Sequence, residues 1–406
     1  MNILFLTMTN IRDIEAHGIY TDLMRKFRNE GHQVYIAAPR ERRTGEATNL
    51  KEISGAQVLG IKTLNVQKTN VVEKGLGQVS METLFKRAIK RYFKGIRFDL
   101  ILYSTPPITF PKVIQYLKQQ NPKAKTYLLL KDIFPQNAVD LGMMSKSGAK
   151  GVLYKFFRNK EKKLYALSDY IGCMSPANVK YVLAHNPEVN PEKVEVAPNS
   201  YEATDYVAPS PELVAEIRSK YHLPVDKPIF IYGGNLGKPQ GIPFLMDCLE
   251  ANKDREDCHF VVVGSGTEYG KIEAWHKKVQ PKSVSLFSFI PKADYDKLVD
   301  SCDIGLIFLD YRFTIPNYPS RLLPYLMQHK PILAATDPNC DTGSLAEANG
   351  YGFWCPSNSV EAFTACVDKM LSAAIRQMGD NGYQFFMDNY TVEHTYDKIV
   401  GHMVNL

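Results

Sequence analysis

Residues 229–241, IFIYGGNLGKPQG, constrain the fold of this chain more than any other stretch. A short apolar run breaks into a glycine turn carrying one lysine, and a helix-like segment, Ile242–Leu249, follows at once. Backbone N–H groups at such a turn and helix start, joined by a lysine, suit a phosphate or diphosphate. A second stretch, NYPSRLLPYLMQHKPILAATD, spans residues 317–337. It reads as a Pro-Ser-Arg turn opening a helix, then Lys-Pro and a strand-like run ending at Asp337. Two anion-receptive turns, each at a strand end, imply a nucleotide-diphosphate crevice.

The rest of the chain repeats the strand-then-helix rhythm. Strands are expected at Asn2–Thr7, Gln33–Ala38, Leu100–Tyr103, Thr126–Leu130, Tyr170–Met174 and Val194–Ala197. Between the first two, Ile19, Leu23 and Phe27 recur at helical spacing and stop at Gly31. The pattern loosens through Tyr201–Pro211, YEATDYVAPSP, the best linker candidate and the expected hinge for closure around a ligand. It restarts with strands at Pro228–Tyr232, His259–Val263, Val284–Phe287, Ile304–Phe308 and Ile332–Ala335. Such alternation implies an α/β protein of two Rossmann-like parallel-sheet domains facing a central crevice. A length of 406 residues, too great for one ordinary core, agrees. The expected division is 1–200, 201–384, and a C-terminal helix over 385–406 that packs back towards the first domain.

Net charge is +6 but unevenly placed. Residues 1–200 hold 31 Lys and Arg against 17 Asp and Glu, whereas residues 201–406 hold 18 against 26. A basic first half points to an anionic surface as partner. Residues 83–98, TLFKRAIKRYFKGIRF, interleave Phe85, Ile89, Tyr92 and Phe93 with Lys86, Arg87, Lys90, Arg91 and Lys94. They read either as a basic amphipathic helix lying on an anionic bilayer, with Phe93 inserted, or as a domain helix with a solvated basic face. No nucleic-acid-binding motif accompanies the charge. No run of 18 apolar residues exists, and Ile3–Leu6 lacks the flanks of a signal peptide. Seven cysteines without a Cys-x-x-Cys pair argue for a reduced, cytoplasmic protein without a zinc site. Cytoplasmic and peripheral on the inner face of the cytoplasmic membrane is the expected location.

Several separated motifs together resemble the family 4 retaining glycosyltransferases of the GT-B fold. They are Lys131–Pro135 (KDIFP) with Leu141-Gly142, Ala197–Ser200 (APNS), Gly234–Gly241, Val263–Gly266 (VGSG), Pro319–Leu322 (PSRL) and Met378–Tyr390. The likeness is greatest to the branch that adds sugars, often N-acetylated amino-sugars, during bacterial capsule, O-antigen or lipopolysaccharide assembly. The resemblance implies a nucleotide-sugar donor, UDP-linked, a polyprenyl-diphosphate-linked sugar acceptor, and neither cofactor nor metal. It also implies front-face displacement, in which the leaving diphosphate helps deprotonate the attacking hydroxyl.

Many members carry an arginine in the glycine turn and a lysine five residues later, both on the donor diphosphate. Here those positions are Asn235 and Gln240, and Lys238 is the cation assigned to the leaving group, beside Gly234. Ser320 and Arg321 are assigned to the same phosphates, Ser320 alternatively as the helix N-cap. The glutamate that usually binds the ribose is replaced by Pro324, so Asp337 or the turn at Asp341–Ser344, with Thr342 and Gly343, is the substitute. On the acceptor side, His17-Gly18 follows the first strand, and Lys131 and Asp132 follow another. Asp132 is assigned to orient or deprotonate the acceptor hydroxyl, or else caps a helix. Asp294-Tyr295-Asp296 reads as a helix start with Asp294 as N-cap, not as a metal site. Two other readings stay open: a catalytically silent nucleotide-sugar-binding subunit and a GT-B sugar-nucleotide epimerase.

Overall fold

The computed structural model describes residues 1–66 and 71–403. They form two units, one of Met1–Glu202 with the chain from Thr391 onward, the other of Ala203–Tyr390. The division falls after Tyr390 because the penultimate helix runs on to Asn389 before the chain turns back.

In unit 1 the elements run β1 (Asn2–Leu6), α1 (Thr21–Asn29), β2 (Gln33–Glu41), β3 (Asn49–Ile53), β4 (Ala56–Thr63), α2 (Val71–Tyr92) and β5 (Leu100–Thr105). They continue with α3 (Pro111–Gln120), β6 (Lys125–Leu130), α4 (Gln136–Asp140), α5 (Gly148–Leu167), β7 (Tyr170–Cys173), α6 (Pro176–His185) and β8 (Val194–Val196). The sheet order is β3-β4-β2-β1-β5-β6-β7-β8, parallel except for the β3–β4 hairpin. Alternation along β1 builds two cores. Ile3 and Phe5 meet Leu23 and Phe27 of α1, whereas Leu4 and Leu6 meet Phe85 and Ile89 of α2 and Leu164 of α5.

Unit 2 runs α7 (Pro211–Lys220), β9 (Ile229–Asn235), α8 (Ile242–Ala251), β10 (His259–Ser265), α9 (Tyr269–Val279), β11 (Val284–Phe287), α10 (Lys292–Ser301) and β12 (Ile304–Phe308). There follow α11 (Leu322–Met327), β13 (Ile332–Thr336), α12 (Thr342–Ala348), β14 (Gly352–Pro356), α13 (Val360–Leu371) and α14 (Ile375–Asn389). All strands are parallel in the order β11-β10-β9-β12-β13-β14, the doubly wound arrangement. Its topological switch lies between β9 and β12, so a ligand crevice belongs at their carboxyl ends.

The chain then re-enters unit 1 through a parallel bridge between Tyr201 and Thr391 and ends in α15 (Val392–Gly401). Ile399 and Met403 join the α1 core, and the Tyr396 ring meets Phe27 edge-on at 5.0 Å.

The sequence reading lacked β3, β4 and β14. The β3–β4 hairpin turns at Ser54-Gly55, both with positive φ (52° and 75°), a turn of the tight hairpin type. Asp294 is not a cap. Pro291 occupies that position, and Asp294 sits in the first turn of α10, 3.4 Å from Lys220. Asp296 pairs with Lys292 at 2.8 Å.

Candidate functional site

At the carboxyl end of β9 the backbone opens at Gly234 (φ 131°). Beside it, Gly264 of β10 approaches so closely that a Cβ there would overlap the Gly234 carbonyl. The turn is tied from within: Asn235 Nδ2 and the Gly237 N–H both donate to Gln240 Oε1, each at 3.2 Å. Asn235 and Gln240 thus hold the loop's shape with the side-chain groups assigned to phosphate. Asp310, just past β12, donates its N–H to the Pro239 carbonyl at 2.9 Å, fixing the turn over the switch point. Lys238 is exposed on this turn.

Arg321 arrives at the same place from the start of α11. Its guanidinium lies 4.3 Å over the Tyr232 ring, and its Nη2 would be 3.5 Å from a Cβ on Gly234. Its Nη1 is buried without a hydrogen-bond partner among the described residues. A buried guanidinium carries a large desolvation cost unless an anion meets it. Tyr325 supports the shelf by donating from its hydroxyl to the Ile231 carbonyl at 3.0 Å. The α11 N-cap is Arg321 itself, not Ser320, which is exposed. Pro324 sits in the first turn of α11, where its missing N–H costs nothing.

The expected ribose substitutes are engaged elsewhere. Asp337 is fully buried and its Oδ1 accepts the N–H groups of Asn339 (2.9 Å) and Cys340 (3.0 Å), closing its own turn. Thr342 is buried against Cys340 Sγ at 3.2 Å, and Gly343 packs against the Trp354 ring.

Unit 1 brings its candidates to the carboxyl edge of its sheet. Lys131 and Asp132 follow β6 directly. Burial pushes the Lys131 ammonium down to about 7, and its Nζ donates to the Ala197 carbonyl at 3.0 Å. Burial likewise pushes the Asp132 carboxyl up to about 6, against the pull of Asn137, whose Nδ2 donates to it at 2.8 Å. Asp132 does not cap α4; Pro135 does.

His17 has a partner the sequence reading missed. Its Nδ1 is 2.8 Å from Oδ2 of Asp22, and its ring stacks on Tyr201 at 4.8 Å. Asp22 is fully buried and also accepts the N–H groups of Gly18 (2.9 Å) and Glu202 (3.0 Å) and Arg25 Nη2 (2.7 Å). Burial alone would raise this carboxyl; the His17 ring and the two N–H groups outweigh it and hold it below the usual range. The ionised carboxylate therefore holds a proton on Nδ1 and orients the ring. Its stabilisation is present above the usual carboxylate pKa and lost as pH falls through the lower, folded value. Asp22→Asn is expected to cost about 3 kcal/mol or more, by breaking a buried pair with Arg25, read as a fall in melting temperature of several degrees. An unchanged melting temperature would remove Asp22 as the anchor. The spacing of His17 and Asp22 across the start of α1 was the available signal, but nothing in it marks Asp22 as buried.

The basic helix requires a correction. Phe85, Ile89 and Phe93 are 0%, 2% and 4% exposed, because they fill the core between α2 and the sheet. Phe93 is therefore not free to enter a bilayer, whereas Lys86, Arg87, Lys90 and Arg91 do face outward. Among the described residues no helix is long and apolar enough to cross a membrane.

Comparison with known proteins agrees with this geometry. Residues 214–385 match the family described as Glycosyl transferases group 1. The chain is 24% identical over 333 residues to WbjE of Pseudomonas aeruginosa, named a probable glycosyltransferase, covering 80% of this chain and 78% of the other. It is 24% identical over 386 residues to WcaI of Escherichia coli strain K12, named for colanic acid biosynthesis glycosyl transfer, covering 91% and 92%. Among solved structures, Anabaena Alr3699/HepE in complex with UDP superposes with a TM-score of 0.68 at 13% identity, covering all of both chains. Residues 214–385 belong to the glycosyl transferases group 1 family, and the chain is a glycosyltransferase of the GT-B fold.

Proposed function

We propose that this enzyme transfers a sugar, with retention, from a UDP-linked donor to a lipid-diphosphate-linked glycan in bacterial surface-polysaccharide synthesis. The observation that carries the donor half is Arg321, half-buried at the doubly wound switch point beside Gly234, whose buried Nη1 has no partner among the described residues. A diphosphate is the anion of suitable size and charge for that guanidinium, the turn's N–H groups and Lys238 together. The UDP in HepE and the polysaccharide in WcaI's name favour the same reading.

In this mechanism the leaving diphosphate gathers charge as the glycosidic bond breaks, and Lys238 and Arg321 stabilise it. The acceptor hydroxyl is held in unit 1, where Asp132 orients it and His17 Nε2 accepts a hydrogen bond. The hydroxyl proton passes to the departing phosphate oxygen, so the protein supplies position and charge more than a nucleophile.

Melting of the full chain in UDP, GDP, CMP and dTDP tests the donor assignment. UDP at 100 times its dissociation constant is expected to add about 2.7 kcal/mol, a clear upward shift. A selective shift with another nucleotide would replace UDP as donor, and no shift with any would overturn the donor assignment.

A further inference from the structure

The outward surface of the unit 1 helix layer carries exposed apolar groups set among lysines. On α5, Val152, Leu153 and Phe156 are 71%, 49% and 40% exposed, and Met143 in the loop before it is 51% exposed. With Ala149 they share one helical stripe. The adjacent stripe, including Phe157, Leu164 and Tyr165, is buried. Further along the exposed stripe lie Lys160 and Lys163, and Lys150 and Lys155 flank its apolar end. The helix holds six Lys and Arg residues against one acid, Glu161, which is buried and paired with Arg158 at 2.6 Å. An ion pair of 2.8 Å between Lys160 and Glu82 ties α5 to α2, whose outward residues Leu76 and Val79 are likewise exposed and lead to Lys86 and Lys90.

We propose that this α5 surface seats unit 1 on an anionic lipid bilayer. Val152, Leu153 and Phe156 enter the boundary between headgroups and acyl chains, and the exposed Lys150, Lys155 and Lys163 of α5 with Lys86 and Lys90 of α2 meet lipid phosphates. Charge complementarity selects this occupant. A second copy of the chain would bring two basic faces together, which like-charge repulsion opposes. The inference deepens the lipid-linked acceptor reading and rests on it for purpose, though not for its test. It also moves the apolar anchor from Phe93, which the core uses, to Val152, Leu153 and Phe156, which α5 leaves exposed.

The test is sedimentation of the full chain with vesicles of phosphatidylcholine alone or mixed with phosphatidylglycerol. Binding is expected to the mixed vesicles and to be at least about tenfold weaker to the neutral ones, each lysine at the surface being worth about fivefold. The variant Val152→Ser/Leu153→Ser/Phe156→Ser should lose about 10- to 100-fold in partitioning, its sites being exposed enough to leave folding intact. Retained binding by that variant, or equal binding to both vesicle types, overturns the proposal. So does a wild-type dimer that the variant dissolves, without vesicle binding, because it gives the face to a second copy. The UDP melting shift of the same variant should match that of the wild type. Its absence in both proteins would count against the donor reading and leave the vesicle result standing.

Discussion

Replacing Lys238 with alanine is expected to lower kcat by about 10²–10³, which corresponds to roughly 3–4 kcal/mol of lost transition-state stabilisation for one charged donor. The side chain is exposed, so its removal leaves no cavity and no unpaired buried group. The turn itself is held by Gln240 and by the Asp310 N–H bond to Pro239, neither of which involves the lysine side chain. Its charge matters most as negative charge builds on the leaving diphosphate, so the donor KM should move less than kcat. Arginine at this position should restore part of the rate. Steady-state turnover and the UDP melting shift, measured together, separate the roles. A lost shift with lost turnover makes Lys238 a ground-state binder; unchanged kcat removes it from the mechanism.

Asp132→Asn should lower kcat/KM by about 10²–10³, within the range for a positioned acid–base group. Burial raises the Asp132 carboxyl to about 6, so the wild-type rate should rise with pH through that value as the carboxylate forms. The amide variant should lose this limb. Stability moves in the opposite sense. Because the folded-state value lies above the ordinary 3.8, the protonated group contributes stability that is fully present below 3.8 and lost as pH rises through about 6. Above that pH the native protein holds a buried carboxylate, and asparagine relieves it. The variant should therefore melt higher than the wild type at neutral pH while working far less well. That combination excludes misfolding as the cause, and a fully active variant with an unchanged acid limb would end the assignment.

The fold of unit 2 was largely legible. A short apolar run, a glycine turn and a following helix have one simple solution, a strand whose end points N–H groups outward. Residues 229–241 form such a turn at the end of β9, and residues 317–337 hold the turn into α11 and strand β13. Less legible was what each side chain does there. Asn235 and Gln240 look like phosphate ligands by position but bond within the turn, and Asp337 serves its own loop. The tyrosine beneath Arg321 comes from the strand itself, and its ring position depends on strand register.

Unit 1 was read less completely for a related reason. Strand β3, NLKEI, and strand β4, AQVLGIKT, show weak alternation, and the Ser54-Gly55 turn was the sole punctuation between them. Helix α2 illustrates the opposite error. Its amphipathic pattern was real, but periodicity reports only that one face is apolar, not whether protein or lipid covers it. Here the sheet covers it, and the exposed apolar residues lie on α5, whose sequence looks more charged than amphipathic.

By itself the sequence determined the class of the protein. Alternating strand and helix periods, interrupted once, require two parallel-sheet units, and glycines mark where β9 and β10 stop, because these are local properties of the backbone. Only the tertiary structure decided which polar groups are left without a partner. It seated the guanidinium of Arg321 over Tyr232 with one nitrogen free, aimed His17 through a buried Asp22, and raised Asp132 by burial. Those outcomes depend on desolvation and on contacts between residues distant in the chain, and neither is written into spacing along it.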